Sequence, residues 1–246
     1  MIRCRDKSRA DDIRLFIRKF CDEKEKLMDK NNFLKMVDHT ILKADATRDK
    51  VDRILKFAKA NGTASVCINP YYVKYASDFL KGSGVKVCTV IGFPLGQNTK
   101  EVKAFETKNA IENGADEIDM VINVAALIDK DYDYVKQEIK EIYTTVSWHG
   151  KLLKVIIENA YLTDFEKRKV CEICKEVGVD FVKTSTGFAP TGATAPDVKL
   201  MKEVVGDTCK VKAAGGIKNK KDVDALYEAG ARRFGVSRTE DILKEF

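Results

Sequence analysis

The chain has 246 residues, 44% apolar and 33% charged, enough for one ordered domain with a sizeable core and unlike a disordered or fibrous chain. Its 44 Lys and Arg against 38 Asp and Glu give a net charge of +6 spread over the whole length, which argues against a nucleic-acid-binding tail and suits an anionic small substrate. No apolar run approaches the ~20 residues that span a bilayer, and seven irregularly spaced cysteines fit reduced thiols, so a cytoplasmic protein with no membrane or nucleic-acid partner is expected.

Residues 1–33 read as an N-terminal extension in which Ile13, Phe16, Ile17 and Phe20 predict one extra amphipathic helix, ahead of a main domain over 34–246. VDHTIL, from Val37, is the first strand candidate. Thr47 is placed to cap a helix whose apolar residues Val51, Ile54, Leu55 and Ala58 share one face, ending at Asn61-Gly62, and the strand ASVCINP follows. The same grammar recurs. Gly84 precedes VKVCTVIGFP, Gly114 precedes DEIDMVIN, Gly178 precedes DFVKTST and Gly230 precedes RRFGVS, each glycine read as the left-handed end of a helix. Cys171 and Cys174 lie mid-helix and read as buried or half-buried thiols rather than half of a zinc site. With KVIIE at 154–158 and VKAAGG at 211–216 the strand candidates reach eight, rich in Val and Ile as parallel strands are. The expected fold is α/β, an eight-stranded parallel β/α (TIM) barrel with an extra N-terminal helix. An open doubly wound sheet is the alternative, but no G-x-G-x-x-G loop follows an early strand.

In such a barrel, chemistry collects at the carboxyl ends of the strands. Alternation puts Lys183 on one face of DFVKTST with Phe181 and Ser185, Asp119 on a face of EIDMVIN with Val121, and Lys154 with Glu158 on KVIIE. Adding Lys212 and Asp38, three cations would meet three carboxylates at the barrel mouth. A self-neutralising network of ion pairs is the bland explanation. Lys183 and Lys212 on neighbouring strands favour a different one, because a lysine crowded by a second cation gives up its proton more readily and becomes a nucleophile towards carbonyls. Glycines and hydroxyls cluster after the last three strands: Thr184, Ser185, Thr186 and Gly187, then Gly215 and Gly216, then Gly235 and Ser237. Three such loops in succession read as a phosphate site. His39 and His149 are the only histidines and lie apart, so no histidine metal site is expected, and His39 reads as a local hydrogen-bonding residue.

Through VDHTIL, ASVCINPYYV, VIGFPLGQNT, ADEIDMVIN, LKVIIE, FVKTSTGFAPTGAT, KAAGGI and RRFGVS, in that order from about residue 35 to near the end, the chain resembles the deoxyribose-phosphate aldolase family. The resemblance implies a β/α barrel without metal or organic cofactor that reversibly cleaves 2-deoxy-D-ribose 5-phosphate to D-glyceraldehyde 3-phosphate and acetaldehyde. It implies Lys183 as the Schiff-base lysine, Lys212 as the neighbour that eases its deprotonation and assists proton transfer, and Asp119 as their acid–base partner. Gly187, Gly215, Gly216 and Ser237 would hold the phosphate, and Asp38, Thr40 and Thr186 would lie against the sugar. A homodimer is the expected assembly. Two positions depart from the family pattern: Asn159 stands where threonine is usual, and Arg238 where a small hydroxyl residue is more frequent. A Schiff-base aldolase of another phosphorylated sugar, or a non-catalytic sugar-phosphate-binding barrel, are the competing readings.

Overall fold

The computed structural model describes residues 28–246, so the helix expected around Ile13 to Phe20 lies outside the described residues. A short α1 (Lys30–Leu34) leads into β1 (Val37–Ile41). Then come α2 (Arg48–Asn61) and β2 (Ser65–Ile68), α3 (Val73–Leu80) and β3 (Lys86–Ile91), and α4 (Lys100–Glu112) and β4 (Glu117–Val121). The second half runs through α5 (Val124–Ile128), α6 (Tyr132–Trp148), β5 (Leu152–Ile156), α7 (Asp164–Val177), β6 (Phe181–Lys183), α8 (Ala195–Val205), β7 (Lys210–Ala214), α9 (Lys220–Glu228), β8 (Ala231–Val236) and α10 (Thr239–Leu243). All eight strands are parallel and pair in sequence order, with β8 closing on β1. This is the expected TIM barrel.

Local chemistry sets most of the element ends. Thr163 and Glu166 form a reciprocal capping box at the start of α7, and Gly178 ends that helix in the left-handed region at φ 81°. Gly62 does the same for α2, whereas Thr47 occupies its N-cap position without a side-chain bond. Gly84 caps nothing. Its helix stops earlier, at Leu80, because Ser83 donates its hydroxyl to the Leu80 carbonyl at 2.7 Å and its amide to the same group. Strand β6 is shorter than DFVKTST suggested, since beyond Thr184, whose amide still donates to the Lys212 carbonyl at 3.0 Å, side-chain groups take over from the ladder. Thr184 Oγ1 accepts from the Ala214 amide at 3.1 Å, and the Thr186 amide turns to the Glu158 carboxylate at 3.2 Å.

Alternation along the strands separates two kinds of interior. Val66, Ile118, Met120, Leu153, Val155, Val182, Val211 and Phe234 point outward against the helices, where Val51 and Leu55 of α2, Ile139 and Ile142 of α6 and Val170 of α7 bury them fully. Each such side chain contributes roughly 1.5–3 kcal/mol on leaving water. Cys171 and Cys174 belong to this layer and are buried in α7, as expected. The inward face is different. Where a barrel of this kind ordinarily packs branched apolar residues, this one holds Asp38, Glu117, Asp119, Lys154, Lys183 and Lys212, all buried.

Candidate active site

Inward-facing side chains stack in layers contributed by alternate strands. At the base, even-numbered strands supply Ser65, Glu117, Phe181 and Arg233, with Arg233 over the Phe181 ring at 5.5 Å. Above them, odd-numbered strands supply Asp38, Cys88, Lys154 and Lys212. Next towards the mouth, even-numbered strands return with Cys67, Asp119, Lys183 and Gly235. A Cβ at Gly235 would lie 3.3 Å from the Lys212 side chain and 2.9 Å from Ala214 Cβ, so the absence of a side chain there makes room for the lysine.

Asp119 is the hub. Its Oδ2 accepts from both Lys183 Nζ and Lys212 Nζ, each at 2.7 Å, and its Oδ1 accepts from Lys154 Nζ at 2.8 Å and from the Cys88 thiol at 3.1 Å. Lys212 also donates to Asp38 Oδ2. Lys154 lies 2.6 Å from Glu117 Oε2 and 3.5 Å from Asp38 Oδ2. Lys183 has one carboxylate partner, Lys212 two and Lys154 three, and Lys183 is the one of the three whose side chain is not wholly enclosed. With Arg233, four cations face three carboxylates, one positive charge in excess. Loss of a single lysine proton makes the array neutral.

Burial alone would push the Asp119 carboxyl up, but Lys154, Lys183 and Lys212 outweigh it and hold that carboxyl well below the usual carboxylate range. Asp38 is lowered in the same way, with Lys154, Lys212 and Arg233 overcoming burial. At Lys212 burial works against the charge, yet Asp119 and Asp38 raise its ammonium above the ordinary lysine value. Crowding by cations, which the sequence suggested would dominate between these lysines, is therefore outweighed at Lys212 by carboxylates. It is placed to hold a proton and to pass it on.

Glu158 does not join the array. Strand β5 ends at Ile156, so the alternation that put Glu158 beside Lys154 stops applying. Glu158 takes a left-handed φ of 54° and points its carboxylate at the amide and hydroxyl of Thr186. Its place among three carboxylates is taken by Glu117. Thr186 also accepts the Phe188 amide at 3.0 Å, which fixes the turn around Gly187. Asp38 is saturated by Lys212, Arg233 and Ser65, and the half-buried Thr40 donates its hydroxyl to the Asp38 carbonyl at 2.7 Å. His39 faces outward. Its Nδ1 lies 2.9 Å from Thr239 Oγ1, and burial pushes the ring down to about 4, so it stays neutral near pH 7.

The loops after β6 and β7 converge at their glycines. A Cβ on Gly215 would meet Gly187 Cα at 3.4 Å and Gly192 Cα at 3.1 Å, and one on Gly192 would fall 2.2 Å from the Gly215 carbonyl. Gly187, Gly215 and Gly216 all have positive φ, with Gly187 and Gly216 exposed and Gly215 half-buried. Ser237 and Arg238 follow β8 and are exposed. Among the described residues, Cys67, Cys88 and Asp119 also stand close enough to share a cation. Lys154, Lys183 and Lys212 surround that point and repel one.

Glu117 and Arg233 escaped the sequence reading although a usable signal existed. Glu117 stands two residues before Asp119, on the same strand face, and Arg233 two before Gly235. The Arg232-Arg233 doublet hid the second, because one arginine of the two is exposed and the other turns inward.

The family model described as DeoC/LacD family aldolase matches residues 33–244. The chain is 59% identical over 203 residues to a deoxyribose-phosphate aldolase of Lactococcus lactis subsp. cremoris, covering 82% of this chain and 91% of that one. It is 53% identical over 216 residues to the enzyme of the same name from Caldanaerobacter subterraneus subsp. tengcongensis, covering 87% and 94%. Its fold superposes on the tetrameric deoxyribose phosphate aldolase of Aeropyrum pernix with a TM-score of 0.84 at 30% identity, over 89% of this chain and 93% of that one. No helix among the described residues is long and apolar enough to cross a membrane.

Proposed function

The chain belongs to the DeoC/LacD aldolase family, and from that premise we propose that it cleaves 2-deoxy-D-ribose 5-phosphate reversibly to D-glyceraldehyde 3-phosphate and acetaldehyde through a Schiff base on Lys183. The observation that supports this most is that Lys183 and Lys212 donate to one and the same oxygen of Asp119. A nucleophile and a proton carrier thereby share a single relay.

In the proposed sequence the Lys183 ammonium first gives its proton to solvent water, because Asp119 is held as an anion and Lys212 already carries a proton, and the array becomes neutral. The neutral amine then attacks the C1 aldehyde of the open-chain sugar, and the carbinolamine takes a proton from Lys212 and loses water to give an iminium. As the C3 hydroxyl gives its proton, through water, to the Lys212 amine left neutral by the previous step, the C2–C3 bond breaks. The bonding pair moves into the iminium, forming an enamine on Lys183 and releasing glyceraldehyde 3-phosphate. Lys212, through Asp119 and water, returns a proton to C2, and hydrolysis of the resulting iminium frees acetaldehyde and Lys183. The depressed carboxyl of Asp119 keeps it an anion beside each cationic stage. Gly187, Gly215, Gly216 and Ser237 are assigned to the phosphate, Thr40 and Thr186 to the sugar, and Asp38 to holding Lys212 rather than to a hydroxyl. Assembly as a homodimer is part of the proposal and sedimentation would test it. The Aeropyrum pernix relative is a tetramer.

Steady-state turnover tests the substrate. The purified chain should release acetaldehyde from 2-deoxyribose 5-phosphate, and in the reverse direction accept acetaldehyde over dihydroxyacetone as donor. Preference for the ketone would point to another Schiff-base aldolase, and no turnover with either donor would leave a sugar-phosphate-binding barrel.

A further inference from the structure

Beneath the lysines of the proposed reaction lies a layer of charge that makes and breaks no bond. Arg233 donates from one guanidinium nitrogen to Asp38 Oδ1 at 2.8 Å and from another to Glu117 Oε1 at 3.1 Å, with its side chain 12% exposed. Ser65 Oγ donates to the same Asp38 oxygen at 2.7 Å. Oδ1 is thus fully engaged, and Oδ2 is the oxygen left for Lys212. On the other branch, Glu117 Oε2 lies 2.6 Å from Lys154 Nζ, which in turn donates to Asp119 Oδ1 at 2.8 Å. The Asp119 oxygen that remains is Oδ2, shared by Lys183 and Lys212. Two chains of charge rise from one guanidinium and end on the two oxygens that Lys212 touches.

We infer that Arg233, bridging with Glu117, is a positioning residue for the proton-handling pair Lys212 and Asp119. The inference rests on the aldolase reading above. Arg233 fixes which oxygen of Asp38 and which of Asp119 faces upward, and so holds Lys212 Nζ where it can deliver a proton. A guanidinium suits this because its donors are set in a rigid plane and reach two carboxylates at once, whereas an ammonium is a point charge. Stability alone gives a poor account of the cluster. Replacing buried ion networks by apolar residues of similar volume is often neutral or stabilising, and the outward faces of the strands are buried mainly by apolar helix residues. Arg233 itself stays away from substrate, since it sits in the base layer with Lys212 and Asp119 above it.

The test uses Arg233→Lys, which keeps one charge without the fork, and Glu117→Gln, which keeps the shape without the charge. Three quantities are read in each: kcat and KM for 2-deoxyribose 5-phosphate, borohydride trapping of acetaldehyde, and exchange of acetaldehyde methyl protons with D2O. Exchange needs the Schiff base and the proton relay but no phosphosugar. In Arg233→Lys, kcat and exchange should fall together by about 100-fold, the scale of a positioned acid–base group. KM should stay within about threefold, as the phosphate loops are untouched, and trapping on Lys183 should reach the wild-type extent. Glu117→Gln should give the same pattern at about 10-fold. Wild-type kcat and exchange in both variants would overturn the inference. So would joint loss of trapping, exchange and melting temperature, which is the behaviour of a purely structural ion pair. Failure of the wild-type protein to trap acetaldehyde would instead overturn the aldolase reading beneath it.

Discussion

The two faces of the same eight strands obey opposite rules. Outside, Val66, Ile118, Leu153 and Val182 meet the apolar sides of helices and are held by exclusion of water. Inside, one position away along each strand, Ser65, Glu117, Lys154 and Lys183 meet other polar groups within a space that excludes water just as fully. The outer layer is held mainly by volume and apolarity, with the buried Lys103–Glu138 pair as an exception, so its contribution is spread over many side chains. The inner column needs partners, since a buried charge without one costs several kcal/mol. Stability should therefore follow the outer layer and chemistry the inner one.

The sharpest way to break that division is Lys183→Leu. Turnover should fall by about 10^4-fold or more, while the melting temperature holds, because three cations then face three carboxylates in the remaining array. A large loss of stability in that variant would place Lys183 among the structural ions. The mirror experiment is Leu55→Ala in α2, fully buried against the strands. It should cost about 2–5 kcal/mol in urea denaturation, with kcat unchanged for the fraction that stays folded.

His39 sharpens the comparison through pH. It sits on β1 between Asp38 and Thr40 but faces the outer layer, against Phe57 at 4.7 Å. Its folded value is lowered from 6.5 to about 4 by burial. The unfolded chain therefore binds a proton more readily. The contribution of this site is fully present above about pH 6.5 and is lost as pH falls towards 4, by roughly 2–3 kcal/mol. Denaturation followed between those limits should show this slope, and His39→Phe should flatten it. At the small end, Lys136 and Glu176 form an ion pair 2.6 Å long on the exterior. Solvent and salt screen such a pair, so Glu176→Gln should leave the melting temperature where it is.

The outer layer was legible in the sequence because it repeats: apolar runs, helical spacing and a glycine at Gly62 or Gly178 recur at each unit. The lysines were legible for the opposite reason, as charges interrupting an apolar strand at Lys154, Lys183 and Lys212. Two things were hidden. Strand ends depend on bonds made from elsewhere, so the early stop of β5 at Ile156, and with it the turn of Glu158 towards Thr186, left no local mark. Pairing across the barrel was hidden too. Asp38 and Arg233 are 195 residues apart, and only closure of β8 on β1 brings them together. Period-two spacing from Asp119 back to Glu117 carried the missing information in plain form.

The central claim, that the interior column exists to run Schiff-base chemistry on Lys183, is tested most directly by incubating the protein with acetaldehyde, reducing with borohydride and mapping the two-carbon adduct by peptide mass. An adduct on Lys183 alone, absent from Lys183→Leu, is the predicted result. No adduct, or one scattered over surface lysines while Lys183 stays unmodified, would contradict it and leave the buried charges as structure.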